Sequence, residues 1–441
     1  MSDKAVAVIG AGPAGLFASR ELANNGVEVF LFNRDIKPGG LAEYGIYPDK
    51  HRLKASLRNI YFAILENQRI HYFGNLHIGN HRDITLQQIK ELGFNAILVT
   101  AGAQQVKRTG LEGEDLKGIY HAWEVVSNYN LLPPYSQRSY PIGKKVVIVG
   151  VGNVMTDVAR FLITKLRVDE VTAIARRGPA EVKFHQTEFA EIATNLDIQD
   201  FERELDCVSP LMRSLGQDPE QARAFFEKAC ENCKETGSDT RLRLLFLKAP
   251  IRFVGNENNW VSKLVVVENT LVYKNRNIKP VPLSSKDILK VDTVILALGS
   301  SVDSQLGLPT AGYKFNMSPV PSYPINNHSH EVFDPGRKEN IEGIFVAGWS
   351  RLASYGLVGI SGRDGVSGAR AVQQYIIDNG KQCTVSVKQC REKILSLKNT
   401  IVEFPQLLRL MEVEKERALK MGLEEYKFST NQEMLTAIDL I

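Results

Sequence analysis

Two glycine-rich turns, each set between a short apolar run and a helix start, constrain this chain more than any other feature. The first is Lys4-Ala-Val-Ala-Val-Ile9 running into Gly10-Ala-Gly12-Pro13-Ala14-Gly15. The second is Lys145-Val-Val-Ile-Val149 running into Gly150-Val-Gly152-Asn153-Val154-Met155. A strand, a Gly-x-Gly turn and a helix start place bare backbone N–H groups and a positive helix end against a pyrophosphate. One such turn is weak evidence. Two in one chain, each opening a βα unit, predict two dinucleotide sites.

The residues that end the following strands separate the two sites. In the first unit the run Val27-Glu-Val-Phe-Leu-Phe32 ends at Asn33, where an acidic side chain usually meets a ribose. Asn33 is able to hydrogen-bond a hydroxyl there but brings no charge. In the second unit Val171-Thr-Ala-Ile-Ala175 ends in Arg176-Arg177-Gly178-Pro179. Two guanidinium groups suit the extra phosphate of NADP, because Arg pairs bidentately with phosphate. Two dinucleotides on one protein imply a flavin exchanging electrons with a nicotinamide. The assignment is FAD first and NADP(H) second.

At 441 residues the chain is expected to form more than one domain. The apolar strand Ala96-Ile-Leu-Val-Thr100 before Ala101-Gly102 is echoed by Asp292-Thr-Val-Ile-Leu-Ala-Leu298 before Gly299. These two segments bracket the second unit, which predicts an NADP domain at 104–328 inserted into an FAD domain built from 1–103 and 329–441. Helices are expected at 14–25, 53–67 and 362–379 and through the tail beyond Ser386. The loop from Lys37 to Pro48 shows neither helical nor strand period.

Composition narrows the function. A net charge of +4 without long Lys/Arg runs argues against nucleic acid, while a mildly positive surface suits a small acidic partner. No apolar stretch approaches a membrane span, and the first strand begins too early to leave room for a signal peptide. Five cysteines at irregular spacing form no disulfide framework, which points to the reducing cytoplasm. Cys230-Glu-Asn-Cys233 has dithiol spacing but falls in a helical pattern, and is read as structural. Cys383 and Cys390 lack metal spacing and are assigned nothing.

Gly10–Gly15, the Gly39-Gly40-Leu41…Tyr44-Gly45 loop, Gly152-Asn153-Val154…Asp157-Val-Ala-Arg160, Arg176-Arg177-Gly178-Pro179 and Gly348-Trp349 with Gly356 together resemble adrenodoxin-reductase-type ferredoxin–NADP reductases. The likeness runs in register from residue 4 to the terminal helices. It implies an α/β fold of two Rossmann-like three-layer domains, bound FAD and NADP(H), and electron exchange with a small acidic iron–sulfur protein, a ferredoxin. On the FAD side it matches Ala14, Leu41 and Ile78 to cofactor contacts, beside the loop candidates Gly10, Gly12, Pro13, Gly15, Asn33 and Gly40. Trp349, Gly356, Leu357 and Val358 match the segment beside the isoalloxazine. On the NADP side it matches Gly152, Asn153, Val154 and Met155 to the pyrophosphate, and Arg176, Arg177 and Glu188 to the 2′-phosphate. Gly356 is also matched to the nicotinamide, and Asp157 and His51 are candidates for proton transfer.

The departures from that pattern are specific. Asn33 replaces an acid and Met155 a small residue. Pro48-Asp49 is followed by Lys50 before His51, and Arg351-Leu-Ala-Ser-Tyr355-Gly356 replaces a more basic loop. Lys50, His51, Arg52, Lys54 and Arg58, with Arg241 and Arg243, are the candidate docking cations. The chain carries no iron–sulfur cysteine spacing, so the one-electron centre is expected on another protein. Other readings of the same residues are an NADPH-dependent flavoenzyme with a small-molecule acceptor, a subunit of a larger complex, and a flavin-binding scaffold.

Overall fold

The structure is a computed structural model and describes residues 4–274, 277–353, 356–380 and 386–441. Two compact units divide the chain. One holds Met1–Val106, Ser127–Gln137 and Gly299–Ile441, and the other holds Lys107–Val126 and Arg138–Leu298.

The first unit is built on a six-stranded sheet, ordered Glu331–Asp334, Glu339–Val346, Ala96–Val99, Ala5–Ile9, Glu28–Phe32 and Ile70–Phe73. All neighbours pair in parallel except the first two. Ala5–Ile9 is buried at every position, as expected for a parallel strand covered on both faces. Its side chains alternate between two cores: Val6 and Val8 join one, and Ala5, Ala7 and Ile9 the other. The first core takes in helices Pro13–Asn24, Val358–Asn379 and Phe404–Met421 through Leu16, Val372 and Leu407. Helix Val387–Leu395 joins the second core through Cys390 and Ile394. The glycine turn thus leaves a central strand, between two neighbours whose connections run in opposite directions, where doubly wound sheets bind ligands.

The second unit has a five-stranded parallel sheet, ordered Ile119–His121, Thr293–Leu296, Lys145–Val149, Glu170–Ile174 and Arg241–Leu245. One face packs on an antiparallel meander of Lys248–Gly255, Val261–Lys274 and Asn277–Lys290, with Phe253, Leu264 and Val266 meeting Val147, Val149 and Leu296. The α/β class with two three-layer dinucleotide-binding folds is therefore present.

The sequence boundaries place residues 104–106, 127–137 and 299–328 with the second unit, whereas their contacts lie in the first. Ser300–Ser301 pairs with Gln105–Val106, and Val302, Leu306, Leu308 and Phe315 share a core with Ile9 and Val99. One short strand pairing and four buried apolar side chains hold residues 300–315 there.

Candidate functional site

The three glycines of the first turn do different work. A Cβ on Gly10 would stand 2.6 Å from the Thr100 carbonyl oxygen, and one on Gly15 would stand 1.9 Å from the Gly10 oxygen. Both positions are closed by packing, and Thr100 Oγ1 locks the turn by donating to the Gly10 oxygen at 2.8 Å. Gly12 differs, because a Cβ there would meet nothing within 4 Å. It is the N-cap of helix Pro13–Asn24, which has proline in its first turn and no side-chain cap. Bare backbone at an uncapped helix N-terminus, facing open space, is a cradle for a pyrophosphate. The residues fit a dinucleotide.

A second loop closes on this turn. The Gly39 N–H donates to the Ala11 oxygen at 2.7 Å, and a Cβ on Gly40 would approach Gly12 Cα to 3.3 Å. Its sequence shows no period, yet Leu41–Tyr44 winds one helical turn. Asn33 does not offer its side chain to a ribose. Its Oδ1 accepts from the Ala11 N–H at 3.1 Å, and its Nδ2 donates to the Asp35 and Lys37 oxygens at 2.8 and 3.0 Å. Asn33 is a brace between turn and loop. Leu41 is half-buried, and Ile78 is buried in the core beneath.

At the end of Glu339–Val346, Gly348 and Trp349 form a tight turn that sequence reasoning only half explains. The Gly348 N–H donates to Asp364 Oδ2 at 2.7 Å, and Asp364 forms a buried ion pair with Arg351. Ser350 Oγ accepts from the Gly102 N–H at 3.0 Å and ties two strand ends together. Arg351 and Asp364 carry no signal in a single sequence beyond their opposite charge. Trp349 is half-buried, Leu357 is 54% exposed and Val358 opens a long helix. Gly356 has φ +81, and a Cβ there would strike Ile360. Ser354 and Tyr355 of the departing loop lie outside the described residues, as does Cys383.

The second turn repeats the plan. A Cβ on Gly150 would come 2.5 Å from the Ala297 oxygen, while one on Gly152 would meet nothing within 4 Å. Gly152 caps helix Asn153–Phe161, again without a side-chain cap. Met155 fills the third glycine's place by burying its side chain completely. Asn153 Oδ1 accepts from the His185 N–H at 2.8 Å, and the Lys183 N–H donates to the Val151 oxygen at 3.0 Å, holding the next loop beside the turn. Val154 is exposed; Asp157 and Glu188 are half-buried on neighbouring helices. Beyond Glu170–Ile174, Arg176 is exposed and makes no ion pair among the described residues, while Arg177 lies 3.5 Å from Glu181. One guanidinium is unengaged and the other partly spent.

Five of the seven candidate docking cations, His51, Lys54, Arg58, Arg241 and Arg243, stand beside carboxylates of the same chain. Lys54 is 2% exposed and pairs with Glu425 at 3.0 Å; Arg58 pairs with Glu43 at 2.6 Å and with Glu425. His51 lies 3.7 Å from Glu424 and 3.6 Å from Glu425. Arg241 faces Asp197 at 2.5 Å and Glu170 at 3.3 Å, and Arg243 faces Asp200 at 2.8 Å. These side chains point to carboxylates of their own chain rather than offering free charge. Cys230 is half-buried, and burial raises its thiol, with Cys233 adding to the effect. A redox dithiol needs the opposite shift.

Residues 4–197 match the family described as pyridine nucleotide-disulphide oxidoreductase. The NADPH-ferredoxin reductase FprA of Mycobacterium leprae is 27% identical over 396 residues, covering 81% of each chain. The mitochondrial NADPH:adrenodoxin oxidoreductase of Salvelinus fontinalis is 26% identical over 85% of this chain and 78% of its own. The solved structure of Mycobacterium tuberculosis FprA in complex with NADPH aligns with a TM-score of 0.82 over 99% of both chains at 21% identity, which establishes the shared fold.

Proposed function

Since this chain is a homologue of NADPH–ferredoxin and NADPH:adrenodoxin oxidoreductases, we propose that it passes electrons between NADPH and a small iron–sulfur protein through bound FAD. It is an FAD-dependent oxidoreductase of the ferredoxin–NADP reductase type. One observation carries the reading. Gly12 and Gly152 present the same uncapped, open helix N-terminus after the central strand of each unit, and only the second has a free arginine beyond the next strand.

The first unit receives the flavin dinucleotide and the second the nicotinamide dinucleotide. When bound, the flavin supplies the conversion between two-electron hydride transfer and single-electron transfer. The chain's own residues bind and orient. Gly12 and the backbone of Pro13–Gly15 hold one pyrophosphate, with the Gly39–Gly40 loop closing on it. Asp364 and Arg351 fix the Gly348–Trp349 turn. Gly152–Met155 hold the other pyrophosphate, and Arg176, with Arg177 and Glu188 beside it, reads the 2′-phosphate. Asp157 is kept as the candidate proton-handling group, and His51 is read as part of the tail contact with Glu424 and Glu425.

The partner is a small iron–sulfur carrier of acidic surface, drawn by the chain's mild positive charge. Among the described residues no helix is long and apolar enough to cross a membrane. Cys207, Cys230, Cys233 and Cys390 are free thiols, in keeping with the cytoplasm. The test is anaerobic titration of the purified protein with NADPH, followed by a panel of ferredoxins. Bleaching of a bound flavin and then ferredoxin reduction are expected. A protein that takes up no FAD, or a flavin that stays oxidised, overturns the reading. Reduction by NADPH with no ferredoxin reduced moves the function to a small-molecule acceptor.

A further inference from the structure

Behind the Gly39–Gly40 loop lies a buried ionic network that the electron-transfer reading does not use. Lys37 pairs with Glu414 at 2.7 Å and with Glu43 at 3.3 Å, all three side chains being 5% exposed or less. Lys427 reaches Glu43 Oε1 at 3.0 Å, donates to the Glu43 backbone oxygen at 2.8 Å and sits over the Tyr44 ring. Arg58 and Lys54 complete the network through Glu43 and Glu425. Lys37, Glu43 and Tyr44 belong to the loop, whereas Glu414, Glu425 and Lys427 belong to helix Phe404–Met421 and the strap after it.

Two features set this network apart from an ordinary surface cluster. The first is its place. Lys37 and Glu43 flank the two glycines that lie against the Gly10–Gly15 turn, and Asn33 links turn to loop through the Lys37 oxygen. The second is its charge: among the described residues the ion-pair partners of Lys37, Lys54, Arg58 and Lys427 are Glu43, Glu414 and Glu425. One positive charge is left over in a buried layer, an unfavourable arrangement unless an anion sits nearby. Burial pushes the Lys427 ammonium down to about 8, with Lys37 and Lys54 adding to the fall and Glu43 and Glu425 opposing it, whereas Lys37 is raised against its own burial by Glu414 and Glu43.

We infer that the C-terminal segment, through Glu414 and Lys427, is a clasp that positions the Lys37–Tyr44 loop over the first pyrophosphate, so that FAD binding and closure of the tail stabilise each other. This rests on assigning FAD to the first unit. The pyrophosphate supplies the negative charge that the network lacks, and the network holds the loop whose backbone lies against the turn. Linkage requires the coupling to run both ways. Glu414 and Lys427 are positioning residues and touch no reacting atom.

The experiment uses the holoprotein and two readouts. Flavin fluorescence after dilution measures FAD release, and trypsin cleavage at Arg417 and Lys420 measures tail opening. Glu414→Gln leaves Lys37 short of a carboxylate and is expected to weaken FAD binding at least tenfold. Glu412→Gln, an exposed change on the same helix, leaves it unaltered. In the wild type, reloading FAD into apoprotein is expected to slow tail cleavage at least tenfold, and in Glu414→Gln this protection disappears. If Glu414→Gln does not fold, Lys37→Met/Glu414→Met, which removes one charge of each sign, takes its place with the same expected release. A folded variant with wild-type FAD affinity, or tail cleavage indifferent to FAD in the wild type, overturns the clasp. A wild type that binds no FAD under any condition overturns the functional reading instead.

Discussion

The Asn33 carboxamide oxygen accepts a hydrogen bond from the Ala11 N–H at 3.1 Å, so the residue after the second strand is spent on the glycine turn itself. Its Nδ2 is spent as well, on the Asp35 and Lys37 oxygens. This explains how an uncharged side chain occupies a place where related turns carry an acid.

Restoring the acid is therefore predicted to harm this protein. In Asn33→Asp a buried carboxylate would face two carbonyl oxygens with no proton to donate. A buried polar group left facing the wrong partners costs about 1–3 kcal/mol, and more when charged. The variant is expected to lose at least that much stability in denaturant unfolding and to bind FAD more weakly. An Asn33→Asp protein as stable as wild type would show that the brace is dispensable.

Arg176 and Arg177 are predicted to contribute unequally to NADPH recognition. Arg176 is exposed without an ion pair among the described residues, and Arg177 already lies 3.5 Å from Glu181. Losing a charge-assisted bond to the 2′-phosphate costs about 1.5–3 kcal/mol, so Arg176→Ala should raise the NADPH KM at least tenfold. Arg177→Ala should raise it less, and NADH kinetics should hardly move in either. Equal damage with both cofactors would place Arg176 in the fold rather than at the phosphate.

The parts of the structure that were legible in sequence share one property: a local pattern determines them. Strand Ala5–Ile9, its glycine turn and helix Pro13–Asn24 are specified within two dozen residues by apolar runs, bare glycines and a proline at the helix start. In sequence Lys54 and Arg58 read as docking cations, because their partners Glu43 and Glu425 come from a distant loop and from the tail. Strands Val261–Lys274 and Asn277–Lys290 escaped notice because much of the hairpin is exposed, and Pro280 and Pro282 argue against a strand except at a sheet edge, where this one lies. Asn33, Arg351 and Asp364 were readable as residue types but not as partners. Pairing across the chain needs the fold first.

Arg241 is predicted to matter less for carrier docking than its charge suggests. With Asp197 at 2.5 Å and Glu170 at 3.3 Å, its field is largely cancelled where it stands. Arg241→Ala is expected to change the ferredoxin KM by less than about twofold at physiological salt, where screening already limits steering to about 8 Å. NADPH–ferricyanide turnover serves as the control. A large rise in ferredoxin KM confined to low salt would return Arg241 to the docking surface.

Acid is predicted to release the tail before it unfolds the sheets. The Glu425 carboxyl is drawn from 4.5 to about 2: burial opposes the shift, and Lys427, Arg58 and Lys54 overcome it. Glu43 is held well below the usual carboxylate range by Lys427, Lys37 and Arg58, again against burial. Carboxyls depressed in the folded state contribute stability that is fully present above about pH 4.5 and is lost as pH falls toward 2. For Glu425 the linked contribution is about 3 kcal/mol. Stability measured by denaturant unfolding should therefore fall over that window. Glu425→Gln should flatten the fall while lowering stability at pH 7, because Lys54 and Arg58 lose a partner. Tryptic cleavage at Lys420 after brief acid exposure should precede loss of far-UV circular dichroism. Should the variant show the wild-type pH profile, the acid transition belongs to other carboxylates and Glu425 is not one of its determinants.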